Sequence, residues 1–166
     1  MGYNYTSEKN IQQIISLLKA HGIKKIIASP GSSNVSFVAS VQHDKFFEIY
    51  SVVDERSATY VACGLAAESA EPVVLCCTGA TASRNYIPGL TEAFYRKLPI
   101  IAITALVHPG YIGQNRPQVM DRTVVLNDIV RCSVQVDIVE SDEDEWANNV
   151  KINKAILETK RQGGGP

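Results

Sequence analysis

No apolar run in this chain approaches the roughly 20 residues that a membrane-crossing helix needs. The N-terminus, Met1 to Asn10, is polar and lacks a signal-peptide pattern. An excess of one charge is missing too, since 16 Lys and Arg stand against 17 Asp and Glu. A net charge of −1 gives no global field to recruit nucleic acid or an anionic membrane. The four cysteines, Cys63, Cys76, Cys77 and Cys132, form no Cys-x-x-Cys pair and no His–Cys cluster with metal spacing. They read as reduced, core-filling residues of a cytoplasmic protein. His21, His43 and His108 are scattered, so no metal ligand is assigned. There is no Gly-x-x-x-x-Gly-Lys-Ser/Thr phosphate loop, no Gly-x-Gly-x-x-Gly and no Gly-x-Ser-x-Gly nucleophile elbow.

What the chain does have is alternation. Ile11, Ile14, Ile15, Leu17 and Leu18 recur at helical spacing after the cap candidates Thr6 and Ser7, and Gly22 ends that helix. Lys25 to Ser29 reads as a buried strand stopped by Pro30-Gly31. The pattern predicts a short helix over Val35 to Val41, a strand over Phe47 to Val53 and a small-residue helix over Ser57 to Ser69. Val73 to Cys77 is a further strand. Thr81 to Lys97 is helical with a kink expected at Pro88-Gly89, and Pro99 to Thr104 is again a strand. After a looser segment, Cys132 to Val136 reads as a last strand and Trp146 to Lys160 as a last helix. Strands that are continuously apolar belong to a parallel sheet covered on both faces. The expected fold is therefore three-layer α/β/α with a central, mostly parallel sheet, in one domain of 166 residues.

In such a sheet the loops after the strands share one edge, where ligands bind. Ser29-Pro30-Gly31-Ser32-Ser33, Asp54-Glu55, Thr78-Gly79-Ala80-Thr81 and Thr104-Ala105-Leu106 should converge there. Small residues and hydroxyls around one acidic pair suit a flat or polar ligand lying against backbone. Glu55 is the candidate for chemistry. The residues leave a second reading open, in which Asp54 caps the helix and Glu55 only favours its first turn. His108, in a loop after a strand, is a lesser site candidate.

Together these segments resemble the N-terminal pyrimidine-binding (Pyr) domain of thiamine-diphosphate-dependent enzymes. The landmarks are Ser29-Pro30-Gly31-Ser32, Asp54-Glu55-Arg56, Thr78-Gly79-Ala80-Thr81-Ala82 with Asn85, Lys97-Leu98-Pro99 before Ile100 to Thr104, and Gly113 to Gln118. The resemblance implies thiamine diphosphate as cofactor and a 2-oxo acid as substrate of a decarboxylase or carboligase. It implies that Glu55 hydrogen-bonds N1′ of the aminopyrimidine and promotes the imino tautomer, whose 4′-nitrogen removes the thiazolium C2 proton. Val52 and Val53 would give that carboxyl apolar surroundings. Pro30 and Gly31 would lie by the pyrimidine, Thr78 and Asn85 would line the cofactor pocket, and Gln118 would reach the cofactor or substrate side.

Two departures accompany the resemblance. Menaquinone carboligases of this family usually carry an arginine after Pro-Gly-Ser, contacting an anionic substrate, whereas this chain has Ser33 followed by Asn34. No Gly-Asp-Gly…Asn motif for magnesium is present, so Mg2+ is expected only through a diphosphate-binding domain outside this chain. The expectation is thus a single Pyr domain, residues 1–166, of a longer enzyme, inactive alone and completed by a diphosphate-binding domain in cis or in trans. A homodimer is expected, with Ala62, Gly64, Ala66 and Ala67 packing either on a partner or on their own sheet. The alternatives are a non-catalytic or degenerate dimerisation or ligand-binding module, or the alpha subunit of a two-chain decarboxylase.

Overall fold

The computed structural model describes residues 5–79, 81–122 and 124–166. Ala80 and Met1 to Asn4 therefore lie outside the described residues. In chain order the elements are α1 (Lys9–Ala20), β1 (Lys25–Ala28), α2 (Val35–Val41), β2 (Glu48–Ser51), α3 (Glu55–Ser69) and β3 (Val73–Cys77). There follow α4 (Thr81–Asn85), α5 (Ile87–Arg96), β4 (Ile100–Thr104) and α6 (Asp142–Glu158). The four strands are all parallel, in the order β2-β1-β3-β4.

Period-two side chains sort the sheet into two faces. Ile27, Val73, Leu75, Cys77 and Ile100 pack on one face with Ala58, Ala62, Cys63 and Ala66 of α3 and with Leu90 and Ala93 of α5. Ile26, Val74 and Cys76 pack on the other with Ile15 and Leu18 of α1, Phe37 and Val41 of α2, and Ile152 and Ile156 of α6. This is the three-layer α/β/α arrangement. Ala62 and Ala66 are thus consumed by their own sheet, while Gly64 and Ala67 face outward.

Several boundaries differ from the sequence reading. β2 is shorter than Phe47 to Val53, α3 starts at Glu55 ahead of Ser57, and Glu8, not Thr6 or Ser7, precedes α1. The long helix over 81–97 is broken at Tyr86, ahead of Pro88-Gly89, because Pro88 falls in the first turn of α5, where a missing N–H costs nothing. Helix α6 starts at Asp142, four residues before Trp146. Ser141 accepts a bond from the Asp144 N–H (3.2 Å), and the Asp144 carboxylate accepts one from the Ser141 N–H (3.0 Å). Cys132 to Val136 is not a strand. Val136 packs into the core, but at neighbouring Asp137 the backbone bonds the Asn148 side chain of α6: its N–H donates at 3.0 Å and its carbonyl accepts at 2.9 Å.

The outer face of α6 carries Trp146, 70% exposed, with Val150 and Leu157. They line a shallow groove of about 590 Å³ together with Asn153 and Arg161. Among the described residues no helix is long and apolar enough to cross a membrane.

Candidate functional site

The strand order reverses between β1 and β3. The chain leaves β1 for α2 on one face of the sheet and leaves β3 for α4 and α5 on the other. Two connections that diverge in this way open a crevice at the carboxyl edge, the usual ligand position in open α/β sheets.

The loop after β1 is folded around a buried asparagine. Asn34 accepts from the Gly31 N–H (2.9 Å) and donates to the Ser29 carbonyl (3.1 Å). Ser29 then ties the strand ends together: its hydroxyl donates to Val52 O (2.7 Å) and its N–H to Cys76 O (2.8 Å). Gly31 presses on the loop after β3, since a Cβ there would stand 2.2 Å from Thr78 Cγ2. Only glycine allows that approach. Gly31 and Thr78 are therefore brought together across the crevice. Pro30 is exposed beside them.

The loop after β2 delivers the acidic pair. Asp54 caps α3, its carboxylate accepting from the Ser57 N–H (2.7 Å), which holds that carboxyl below its ordinary range. Glu55, the first residue of α3, is half-buried, and among the described residues no hydrogen bond or ion pair engages its carboxylate. It faces the end of β3. Burial pushes the Cys77 thiol up to about 11, opposed by Tyr86, and the Glu55 charge adds to the rise. The apolar surroundings expected from both valines are only half present. Val52 packs on the core, whereas Val53 is 79% exposed because it lies beyond the last paired residue of β2.

The remaining candidates are looser. Asn85 is half-buried at the end of α4 and donates to Thr81 O (3.4 Å). Gln118 is exposed, in a left-handed conformation at φ 58°, and no hydrogen bond joins it to the crevice among the described residues. His108 is turned to its own loop, accepting from the Gly110 N–H (3.1 Å) and lying edge-on to Tyr111. Among the described residues no three His, Cys, Asp or Glu side chains gather to hold a metal.

Three residues at this edge escaped the sequence reading. Asn34 is the pin of the first loop. Tyr86 is 1% exposed, and its hydroxyl lies close enough to Cys77 and Ser29 to feel both, without a hydrogen bond of normal length and angle to either. Arg122 donates Nη2 to Ala105 O (2.6 Å), at the end of β4, and its buried Nη1 has no partner. The alternating pattern gave no signal for Tyr86 or Arg122. Asn34 entered the sequence reading only as the residue that follows Ser33.

The crevice and its acid are those of a ligand-binding α/β domain. The chain belongs to the family described as thiamine pyrophosphate enzyme, N-terminal TPP binding domain, whose pattern matches residues 9–125. It is 43% identical over 162 residues to the 2-succinyl-5-enolpyruvyl-6-hydroxy-3-cyclohexene-1-carboxylate synthase of Phocaeicola vulgatus, covering 98% of this chain and 29% of that protein. The synthase of the same name from Porphyromonas gingivalis is 33% identical, with 100% and 29% covered. Among solved structures, a thiamine diphosphate-dependent 4-hydroxybenzoylformate decarboxylase from Rhodococcus jostii superposes with a TM-score of 0.79 at 22% identity, over 95% of this chain and 28% of that one. Benzoylformate decarboxylase from Polynucleobacter necessarius gives 0.73 at 17%, with the same shares covered. At those identities the likeness is one of fold. The chain spans about 29% of the length of the curated relatives it matches.

Proposed function

We propose that this chain is the pyrimidine-binding part of a thiamine-diphosphate-dependent enzyme that decarboxylates a 2-oxo acid or transfers the resulting carbon unit to an acceptor. The observation that carries the reading is Glu55, a half-buried carboxylate at the switch-point crevice with no partner among the described residues. A buried-edge carboxylate left uncommitted is available to a ligand. The residues around it suit a flat heteroaromatic ring. Gly31 and Thr78 bring bare backbone and a methyl group together, and Asn85 stands at the end of the helix that follows.

Thiamine diphosphate, when bound, supplies the electron sink for cleaving the bond beside a 2-oxo group. This chain's residues bind and orient. Glu55 would hold a proton at the pyrimidine nitrogen, Pro30, Gly31 and Thr78 would flank the ring, and Asn85 would line the pocket. Gln118, in its exposed loop, would serve the substrate side. Mg2+ and the diphosphate fall to a separate domain, in cis or in trans, which completes the active site. The exposed Tyr60 and Val61 on α3 and Tyr95 on α5 support a second copy of the chain on that side. The four free cysteines accord with a cytoplasmic location.

The test is Glu55→Gln in the full-length protein, assayed for 2-oxo acid turnover. Proton relay of this kind is worth roughly 10²–10⁴ in rate, and a loss of that size is expected. Turnover unchanged in both Glu55→Gln and Glu55→Ala would overturn the assignment. So would a folded complex of this chain with its diphosphate-binding domain that stays inactive with every 2-oxo acid offered. That result would favour a binding or dimerisation module.

A further inference from the structure

Two arginines come near one another at the carboxyl edge, and neither is in an ion pair with another described residue. Arg122 reaches back from the segment after β4, and its Nη2 lies 4.0 Å from where a Cβ on Gly79 would be. It is thereby fixed between the loops that follow β3 and β4. The bond from Nη2 to the Ala105 carbonyl (2.6 Å) holds the guanidinium plane, while Nη1 is shut away from solvent with no partner. Arg84, on α4, approaches from the other side. It is held through Nη2 on Asp121 O (3.0 Å) and Nε on Met120 Sδ (3.3 Å). The two charges feel each other: burial pulls the Arg122 guanidinium below its ordinary range, and Arg84 adds to the shift. The ion pairs among the described residues lie elsewhere and include neither arginine.

A partly desolvated guanidinium with an idle donor, beside a second positive charge, is costly to maintain unless an anion arrives. A guanidinium suits a planar, two-oxygen acceptor better than a point charge. The position also fits. Arg122 and Glu55 both act on Cys77, at the end of β3, so the pair stands on the same edge as the proposed proton-holding acid. Surface arginines elsewhere in the chain, such as Arg96 and Arg161, are matched by a glutamate one helical turn away.

We propose that Arg122, with Arg84 beside it, forms a subsite for a carboxylate carried by a reactant of this crevice, a 2-oxo acid. The proposal rests on reading the crevice as the cofactor site and adds to it the residue that selects an acid over its neutral analogues. Arg122 is a binding and specificity residue here, with no part in proton transfer.

The experiment is an NMR titration of the uniformly 15N-labelled chain. The arginine Nε–Hε signals are assigned by their loss in Arg122→Lys and Arg84→Lys. Pyruvate, its neutral methyl ester and inorganic phosphate are added in separate arms, and thiamine diphosphate in a fourth, read at the Gly31 amide. The expected result is a saturable shift of the Arg122 signal with pyruvate and none with methyl pyruvate. Arg122→Lys, which keeps the charge and loses the fork, should weaken pyruvate binding at least about tenfold. An Arg122 signal that pyruvate does not move, or that the ester moves equally, overturns the subsite. Tighter binding of phosphate than of pyruvate also overturns it, in favour of a phosphate site. The Gly31 arm separates the two claims. A shift there with a silent Arg122 removes the subsite and leaves the cofactor reading standing, whereas a responsive Arg122 together with unchanged turnover of Glu55→Gln and Glu55→Ala in the full-length protein removes the cofactor reading and leaves the subsite. The wild-type titration decides the matter even if a variant fails to fold.

Discussion

Tyr86 buries a phenol beside Cys77 and Ser29, with neither placed for a hydrogen bond of normal length and angle. Its hydroxyl is pushed to higher proton affinity by burial first and by Cys77 second, so it stays a neutral donor at any ordinary pH. An orphaned buried hydroxyl costs about 1–3 kcal/mol, whereas the ring itself is well packed. Tyr86→Phe should therefore raise stability by about 1 kcal/mol, a Tm gain of roughly 2–4 °C for a chain of this size, measured by calorimetry. A fall in Tm would mean that the hydroxyl holds something in solution. The acidic pair behaves differently. Asp54 and Glu55 were legible from sequence because capping is local chemistry: a carboxylate directly before a helical run bonds the N–H three residues on. Tyr86 and Arg122 were not. Each matters through what it lacks in three dimensions, and a missing partner leaves no trace in spacing.

At the level of elements, α3 and α5 are joined by a close contact. A Cβ on Gly89 would fall 2.4 Å from Thr59 Cγ2 and 2.5 Å from Thr59 Cβ, and Thr59 is fully buried. The Thr59 hydroxyl is committed to the Glu55 carbonyl (2.8 Å), so the side chain cannot turn away freely. Gly89→Ala should cost about 1–3 kcal/mol by overpacking, read from chemical denaturation, despite alanine's better helix propensity. A Gly89→Ala chain as stable as its parent would show that α5 slides. This contact also bears on the site, because Thr59 holds the turn that begins with Glu55. The strands β1, β3 and β4 and helix α2 follow the sequence pattern closely, since apolar runs bounded by Gly and Pro have few alternatives. Cys132 to Val136 misled because alternation reports which side chains are buried and says nothing of where backbone hydrogen bonds go. Val136 is indeed packed inward, but the next residue bonds to Asn148 in place of a neighbouring strand. Helix α6 began early because its first turn, Asp142 to Glu145, is all acidic and reads as a solvated run. That same charge is favourable at a helix N-terminus.

On the scale of the whole molecule, the division of labour is clear. One layer, α1 with α2 and α6, completes the core, and the opposite layer, α3 with α4 and α5, carries Glu55, Asn85 and Arg84 to the crevice. The chain's single tryptophan sits in the first layer, on the outer face of α6. It is therefore a built-in optical reporter with a narrow field of view. None of the crevice residues lines the groove that contains Trp146. Its emission should be water-like and open to iodide quenching in the free chain, and ligands added to the crevice should leave it unchanged. A blue shift with loss of quenching should appear only when another protein surface covers α6. One fluorescence titration thus separates small-molecule binding from assembly, because the fold has put its only indole on the side where the proposed chemistry is not.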